Sequence, residues 1–234
     1  GISVGRKLDQ FHIREELELG VLNTRIIRID LIGPQSLELL KSIGHESGTP
    51  TLSFRGQKAF IISASMTELP RQIILMPIEA LLDFMQNLIE APVASLIGRD
   101  ALDDVTTHLG LPRFGIDYGA ENFPQEASLG DHISYSKGCY IGQEPHARMY
   151  HRGHPNWLLV RLMVPETSQP QPGAEVFQDE EIAGHLTSLS SIKQGGLSNG
   201  IGMIRHQLSQ AGKNLFLDSK GTHPIRQLPL PHSI

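Results

Sequence analysis

Residues 137–144 read Lys-Gly-Cys-Tyr-Ile-Gly-Gln-Glu, and the interpretation of the whole chain starts from them. They contain Cys139, the only cysteine among the 234 residues. The glycines on either side of it can adopt positive φ and suit a tight turn. Lys137 lies two residues before the thiol, where its charge favours the thiolate, the form that acts as nucleophile and metal ligand. The stretch therefore predicts a presented, reactive thiol, and the alternative is a small buried cysteine.

Two motifs precede this stretch. Residues 112–117 read Pro-Arg-Phe-Gly-Ile-Asp, and residues 124–129 read Pro-Gln-Glu-Ala-Ser-Leu. In order and spacing the three motifs resemble the YgfZ family, folate-binding proteins that help assemble or repair iron–sulfur clusters. That family is related to the aminomethyltransferase, or T-protein, of the glycine-cleavage system. The resemblance is clear over residues 100–217 and diffuse before them.

The resemblance implies an α+β fold, namely a T-protein-like multidomain body with ferredoxin-like α+β domains and a C-terminal antiparallel β-barrel. We expect an α+β folate-binding region in residues 1–146, a barrel in 147–220 and a tail in 221–234. The chain does not begin with Met, and family members carry a further stretch before the segment that resembles residues 8–14. We therefore expect the folate-binding region to lack an N-terminal part.

The resemblance also implies a function. The protein is expected to bind tetrahydrofolate, or a one-carbon derivative of it, and to support iron–sulfur cluster assembly or repair, with client or assembly proteins as partners. Cys139 is then the working thiol, assisted by Lys137. One alternative is a folate-dependent aminomethyltransferase or demethylase, although those enzymes have an acid where this chain has Cys139. Another is an interaction scaffold that has lost folate binding. Because these interpretations include both enzymes and binding proteins, whether the protein is an enzyme stays open.

The resemblance implies that Glu126 binds the pterin of folate, because the matching glutamate of T-proteins binds the pterin. A carboxylate accepts two donors in parallel, and a pterin offers an amino group beside a ring N–H. The alternative is a solvated loop carboxylate. The other residues expected to bind the cofactor are Arg113, Tyr140, Gln143, Glu144, Arg148 and Arg152. For Arg113 the alternative is that it fixes the loop together with Asp117.

A basic segment follows the cysteine. Residues 137–161 contain four Lys or Arg against one acid, Glu144, in a chain of net charge −5. Such a basic segment could bind the carboxylates of the glutamate tail of folate, and the alternative is an edge strand protected by charge. The spacing of His146, His151 and His154 matches no compact zinc pattern, so no metal site is predicted.

Apolar periodicity predicts the elements of the first half of the chain. The predicted strands are 18–31, 60–62 and 72–76, and the predicted helices are 34–44, 77–89 and 100–109. The stripe of the 77–89 helix is predicted to comprise Ile78, Leu81, Leu82, Met85, Leu88 and Ile89.

The second half is predicted to contain a long functional loop and then short strands. Residues 113–136 hold three glycines and Pro124, and an irregular segment of this length inside a domain is usually functional. Strands at 157–164, 198–204 and 214–217, with a hairpin about residues 179 and 180, predict a small antiparallel barrel or sandwich.

Composition restricts the partners and the compartment. A net charge of −5 argues against a nucleic-acid-binding protein, which needs a basic surface. No apolar run approaches the ~20 residues of a membrane span, so no membrane partner is expected. A single cysteine excludes an intramolecular disulfide and fits a reducing compartment. We expect the bacterial cytoplasm, with the mitochondrial matrix as the alternative.

Overall fold

A computed structural model describes residues 2–12, 16–22, 24–209 and 214–231, except the side chains of Ile2 and Arg152. The chain divides into two compact units, one up to residue 96 and one from residue 97 onward. Each unit has a hydrophobic core of its own.

The first unit is a four-stranded antiparallel sheet with helices. Its elements are α1 (Ile2–Asp9), β1 (Ile26–Ile32), α2 (Ser36–Ser42), β2 (Thr51–Phe54), β3 (Gln57–Met66), β4 (Leu69–Pro77) and α3 (Leu81–Glu90). The strand order is β1-β4-β3-β2. The core contains alternate residues of the sheet, such as Ile74 and Met76, together with Leu40 of α2 and Phe84 of α3.

Two predictions for this unit were wrong in part. The strand predicted from residue 18 begins at Ile26, because its partner β4 ends at Pro77, opposite Ile26, and leaves earlier residues without a ladder. The described residues 16–22 have no regular structure. In α3 the buried face is built on Phe84 and Leu88, whereas Leu82 is 81% exposed. Leu82 lies two positions before Phe84, which is roughly 200° round the helix axis.

In the part of the chain that the structure describes, the second unit contains two α-helices, a long and mostly irregular segment, and a barrel. Its elements are α4 (Arg99–His108), α5 (Gln143–Arg152), β5 (Trp157–Pro165), β6 (Glu175–Gln178), β7 (Glu181–Gln194), β8 (Leu197–Arg205), β9 (Leu215–Phe216) and β10 (Pro224–Leu228). The six strands close into an antiparallel barrel in the order β10-β5-β8-β7-β6-β9. Its interior includes Leu162, Leu186, Ile204 and Leu215, each fully buried. The predicted α+β fold with an antiparallel barrel is confirmed.

The tail predicted for residues 221–234 needs correction, because β10 lies within it. Arg226 of β10 pairs with Met163 of β5, and Ile225 pairs with Leu215 of β9. This short strand closes the barrel and buries Ile225 in its core.

Residues 143–152 form a helix, α5, and the edge strand considered for the basic segment is therefore wrong. Gly142 precedes the helix with φ 84°, and Pro145 lies in its first turn, where no intrahelical N–H donor is needed. The helices α4 and α5 belong to the same compact unit as the barrel, and that unit begins at residue 97.

Candidate functional site

The irregular segment between α4 and α5 is fixed to the barrel by Asp117. Its side chain is fully buried. Oδ1 accepts hydrogen bonds of 2.6 Å from Thr187 and 2.6 Å from Ser188, both on β7, and Oδ2 accepts one of 2.8 Å from the backbone N–H of Arg113. The loop thus rests on a buried anchor.

Arg113 lies within the same network. Its side chain is 17% exposed, with Nη1 3.2 Å from Asp103 of α4 and Nε 3.7 Å from Asp117. Nη2 donates to the Thr107 hydroxyl at 3.0 Å. Burial raises the pKa of Asp103, but hydrogen bonding to Arg99 and the charge of Arg113 outweigh this and lower it overall. Such contacts are typical of the loop-fixing role that is the alternative for Arg113.

Glu126 lies in a tight turn of residues 123–129, called here the Glu126 turn. It is 7% exposed, and its Oε2 accepts a 3.1 Å hydrogen bond from the backbone N–H of Phe123. Its carbonyl accepts a 2.8 Å hydrogen bond from Leu159 N on β5, which ties the turn to the barrel. Glu126 is therefore not the solvated loop carboxylate of the alternative. Among the described residues, none donates a hydrogen bond to Oε1.

A cavity of about 570 Å³ adjoins this turn. It is lined by Gln125 and Ser128 of the turn, by Leu158 and Val160 of β5, and by residues near the C-terminal end such as Leu230. Polar groups of the turn therefore face an apolar wall, which is the usual composition of a small-molecule site.

Helix α5 packs on the Glu126 turn through two polar contacts and one aromatic contact, and on Tyr135, which follows the turn, through a second aromatic contact. Gln125 Oε1 lies 3.1 Å from His146 Nδ1, and Gln125 Nε2 donates to the His146 carbonyl at 3.4 Å. The Phe123 ring meets the His146 ring edge-on at 5.6 Å, and Tyr135 stacks on Tyr150 at 4.0 Å. The sequence predicts no role for Gln125 or Tyr135, and it suggests His146 only as a possible metal ligand. The only signal for Gln125 was its place beside Glu126 in the motif.

Cys139 is exposed, in the irregular residues 137–142 that precede α5, called here the Cys139 loop. The buried alternative is therefore wrong. Gly142 has φ 84°, as expected for a turning backbone. Gln143 joins the loop to the helix, because its N–H donates to the Tyr140 carbonyl at 3.2 Å and its Oε1 accepts from Tyr140 N at 3.4 Å.

The ammonium group of Lys137 lies over the Tyr140 ring, 4.5 Å from its centroid. This is a cation–π contact, and it holds the lysine charge over the side chain of Tyr140, the residue that follows Cys139. Tyr140 Oη is buried and has no hydrogen-bond partner among the described residues. Lys137, Cys139 and Tyr140 thus lie in one short loop, with the lysine held by the aromatic ring.

The charged residues of α5 share one face of the helix. Glu144 and Arg148 form an exposed ion pair with 3.3 Å between Oε1 and Nη2, and Arg152 follows four residues later on the same face. The side chain of Arg152 lies outside the described part. Arg161 is on β5, and its Nε is buried without a partner among the described residues.

Within residues 2–12, 16–22, 24–209 and 214–231, no group of three or more His, Cys, Asp or Glu side chains could hold a metal ion. In that same part of the chain, no helix is both long and apolar enough to cross a membrane.

No family model matches the chain. It is 22% identical over 211 residues to an aminomethyltransferase of Caldanaerobacter subterraneus subsp. tengcongensis, covering 86% of this chain and 56% of that protein. It is 26% identical over 218 residues to an aminomethyltransferase of Chlorobium luteolum, covering 87% and 59%. The chain thus has weak sequence similarity to aminomethyltransferases and spans little more than half of their length.

A solved structure settles the fold. The crystal structure of the glycine cleavage system aminomethyltransferase T from Bartonella henselae matches with a TM-score of 0.69 and 22% identity, over 86% of this chain and 58% of that one. This chain has the T-protein fold. At this level of identity the likeness concerns the fold alone.

Proposed function

We propose that this protein binds tetrahydrofolate, or a one-carbon derivative of it, and supports the assembly or repair of iron–sulfur clusters with Cys139 as its working thiol. The observation that carries the proposal is the position of Cys139. The thiol is exposed in the loop that opens α5, and α5 packs directly on the turn that holds Glu126. The Glu126 carboxylate and a presented thiol therefore belong to one local assembly.

The residues present fit the proposed ligand. Glu126 is a buried carboxylate with one oxygen held by Phe123 N–H, and the described residues donate nothing to its other oxygen. It would hold the pterin through the amino group and ring N–H, and the adjoining cavity offers an apolar wall. When bound, tetrahydrofolate supplies a carrier for one-carbon units.

The remaining predicted residues have graded roles in the proposal. Arg148 and Arg152 on the exposed face of α5 would bind the glutamate tail. Tyr140, Gln143 and Glu144 at the start of α5 would line its approach, and Arg113 would fix the loop behind Glu126. Lys137 would attract an anionic partner group towards Cys139. The division into a folate-binding region of residues 1–146 and a barrel remains part of this proposal.

A second candidate function is a folate-dependent aminomethyltransferase or demethylase. The names of the two relatives favour it. The resemblance opposes it, because enzymes of that type have an acid where this chain has Cys139. The two candidates predict different results for a change at that position, since an aminomethyltransferase has no need of the thiol.

Complementation tests the proposal. In cells that lack the protein, the complete gene product should restore the activity of iron–sulfur enzymes, and Cys139→Ser should fail to do so while still binding tetrahydrofolate. Ser136→Ala, an exposed position in the same segment, is the matched control and should rescue. Full rescue by Cys139→Ser would contradict the thiol mechanism.

We propose the bacterial cytoplasm as the compartment, with the mitochondrial matrix as the alternative.

A further inference from the structure

The side chain of Gln125 clamps the Glu126 turn to α5. Its amide contacts His146 twice, through Oε1 to Nδ1 at 3.1 Å and through Nε2 to the carbonyl at 3.4 Å. Nε2 also lies 3.2 Å from the Tyr135 hydroxyl oxygen. A primary amide with both ends engaged has one preferred orientation, so the position of His146 follows that of the turn.

Phe123 provides a second link between the same parts. Its backbone N–H donates to Glu126 Oε2 at 3.1 Å, while its ring meets the His146 ring at 5.6 Å and 90°. Any group that binds the Glu126 carboxylate competes with Phe123 N–H or adds to it. The residue that senses the carboxylate therefore also touches α5.

The start of α5 is in turn bonded to the Cys139 loop. His146 ends the first turn of the helix, and Gln143, three residues earlier, exchanges two hydrogen bonds with Tyr140. Tyr140 is the neighbour of Cys139. A continuous set of contacts thus runs from the Glu126 carboxylate through His146 to the loop that carries the thiol.

We propose that Gln125 and His146 are positioning residues that couple ligand binding at Glu126 to the reactivity of Cys139. This inference deepens the proposed function and rests on it. A ligand on Glu126 fixes the turn, the clamp of Gln125 and His146 fixes the first turn of α5, and the Cys139 loop samples fewer conformations. Bound tetrahydrofolate then slows the reaction of the thiol with electrophiles until a partner protein binds the Cys139 loop.

The first arm of the test measures alkylation of Cys139, the only cysteine of the chain, by iodoacetamide. Saturating tetrahydrofolate should slow labelling of the complete wild-type protein by about fivefold or more, the lower end of typical coupling between sites. In His146→Leu, calorimetry should still detect binding, but the slowing should disappear. Gln86→Leu, which removes an exposed glutamine of α3, is the matched control and should respond like the wild type. A ligand that merely covered Cys139 would slow labelling in every variant, and that result would overturn the proposal.

The second arm needs no folate. Glu126→Ala removes the acceptor of Phe123 N–H and should speed the labelling of Cys139 in the wild-type background. It should add nothing in the Gln125→Leu background, because interacting residues give non-additive effects in a double-mutant cycle. Equal effects in both backgrounds would overturn the coupling. If the wild type binds no tetrahydrofolate, the proposed function fails, and this cycle alone decides whether Glu126 and Cys139 are coupled.

Discussion

The Asp117 carboxylate accepts a 2.6 Å hydrogen bond from the Ser188 hydroxyl, across 71 residues of sequence. Thr187 donates to the same oxygen, and Arg113 lies on the other side of the carboxylate. A side chain with no exposed surface thus joins the loop that leads to Glu126 to strand β7 of the barrel. The loop that leads to Glu126 is therefore anchored on the barrel.

Asp117→Ala should destabilise the second unit strongly. It leaves the Ser188 hydroxyl and the backbone N–H of Arg113 without their acceptor, and each buried donor left unsatisfied costs about 1–3 kcal/mol. Urea unfolding followed by circular dichroism measures this loss. Asp100→Ala, at an exposed position in the first turn of α4, should cost no more than about 1 kcal/mol. Equal losses of unfolding free energy in the two variants would show that Asp117 does not anchor the loop.

The stacked rings of His154 and His206 should make the free energy of unfolding depend on pH. Their centroids are 4.1 Å apart, and the pKa of His206 is lowered by burial and by the neighbouring His154. A histidine in the unfolded chain titrates near ~6.5, so below that pH the unfolded state binds more protons than the folded state. The stabilisation is therefore complete above about pH 6.5 and is lost as the pH falls through the folded-state pKa of His206. His206→Asn should flatten this part of the profile, and an unchanged acid slope in urea titrations would contradict the assignment.

The exposed face of α5 should distinguish folates by the length of their glutamate tail. Polyglutamylated tetrahydrofolate should bind more tightly than the monoglutamate, and added salt should narrow the difference by screening. Arg148→Gln should reduce the preference by up to about fivefold, the range of an exposed ion pair. Arg226→Gln, an exposed arginine on β10, is the control and should retain the preference. Equal affinity of the wild type for both forms would leave Arg148 as ordinary surface charge paired with Glu144.

Local patterns were sufficient for the barrel but not for its last strand. The alternation of residues 157–164 and the turn about Asp179, which has φ 54°, identify β5 and the β6–β7 hairpin. Strand β10 has only five residues, and it is defined by pairing with β5, some sixty residues earlier in the chain. Such a long-range pairing leaves no signal in the local sequence, and the prolines that follow β10 are typical of an irregular tail.

Helix α5 and its contacts escaped prediction for a related reason. Residues 143–152 contain no continuous apolar stripe, since the helix docks through His146 and the Tyr150 ring instead of a hydrophobic face. The motifs singled out Glu126 and Cys139 as candidate residues. The pairing of Gln125 with His146 spans 21 residues and depends on the tertiary fold, so spacing could not supply it.

Calorimetric titration of tetrahydrofolate into the complete protein, with wild type and Glu126→Gln compared, is the most direct test of the central claim. Glutamine keeps an oxygen for Phe123 N–H, so the turn and the thermal unfolding temperature should be retained, but the charge that holds the pterin donors is lost. We expect the wild type to bind and the variant to bind about 10- to 150-fold more weakly, equivalent to roughly 1.5–3 kcal/mol. Absence of binding by the wild type, or equal affinity of the two proteins, would contradict the proposal that this T-protein fold binds folate at Glu126.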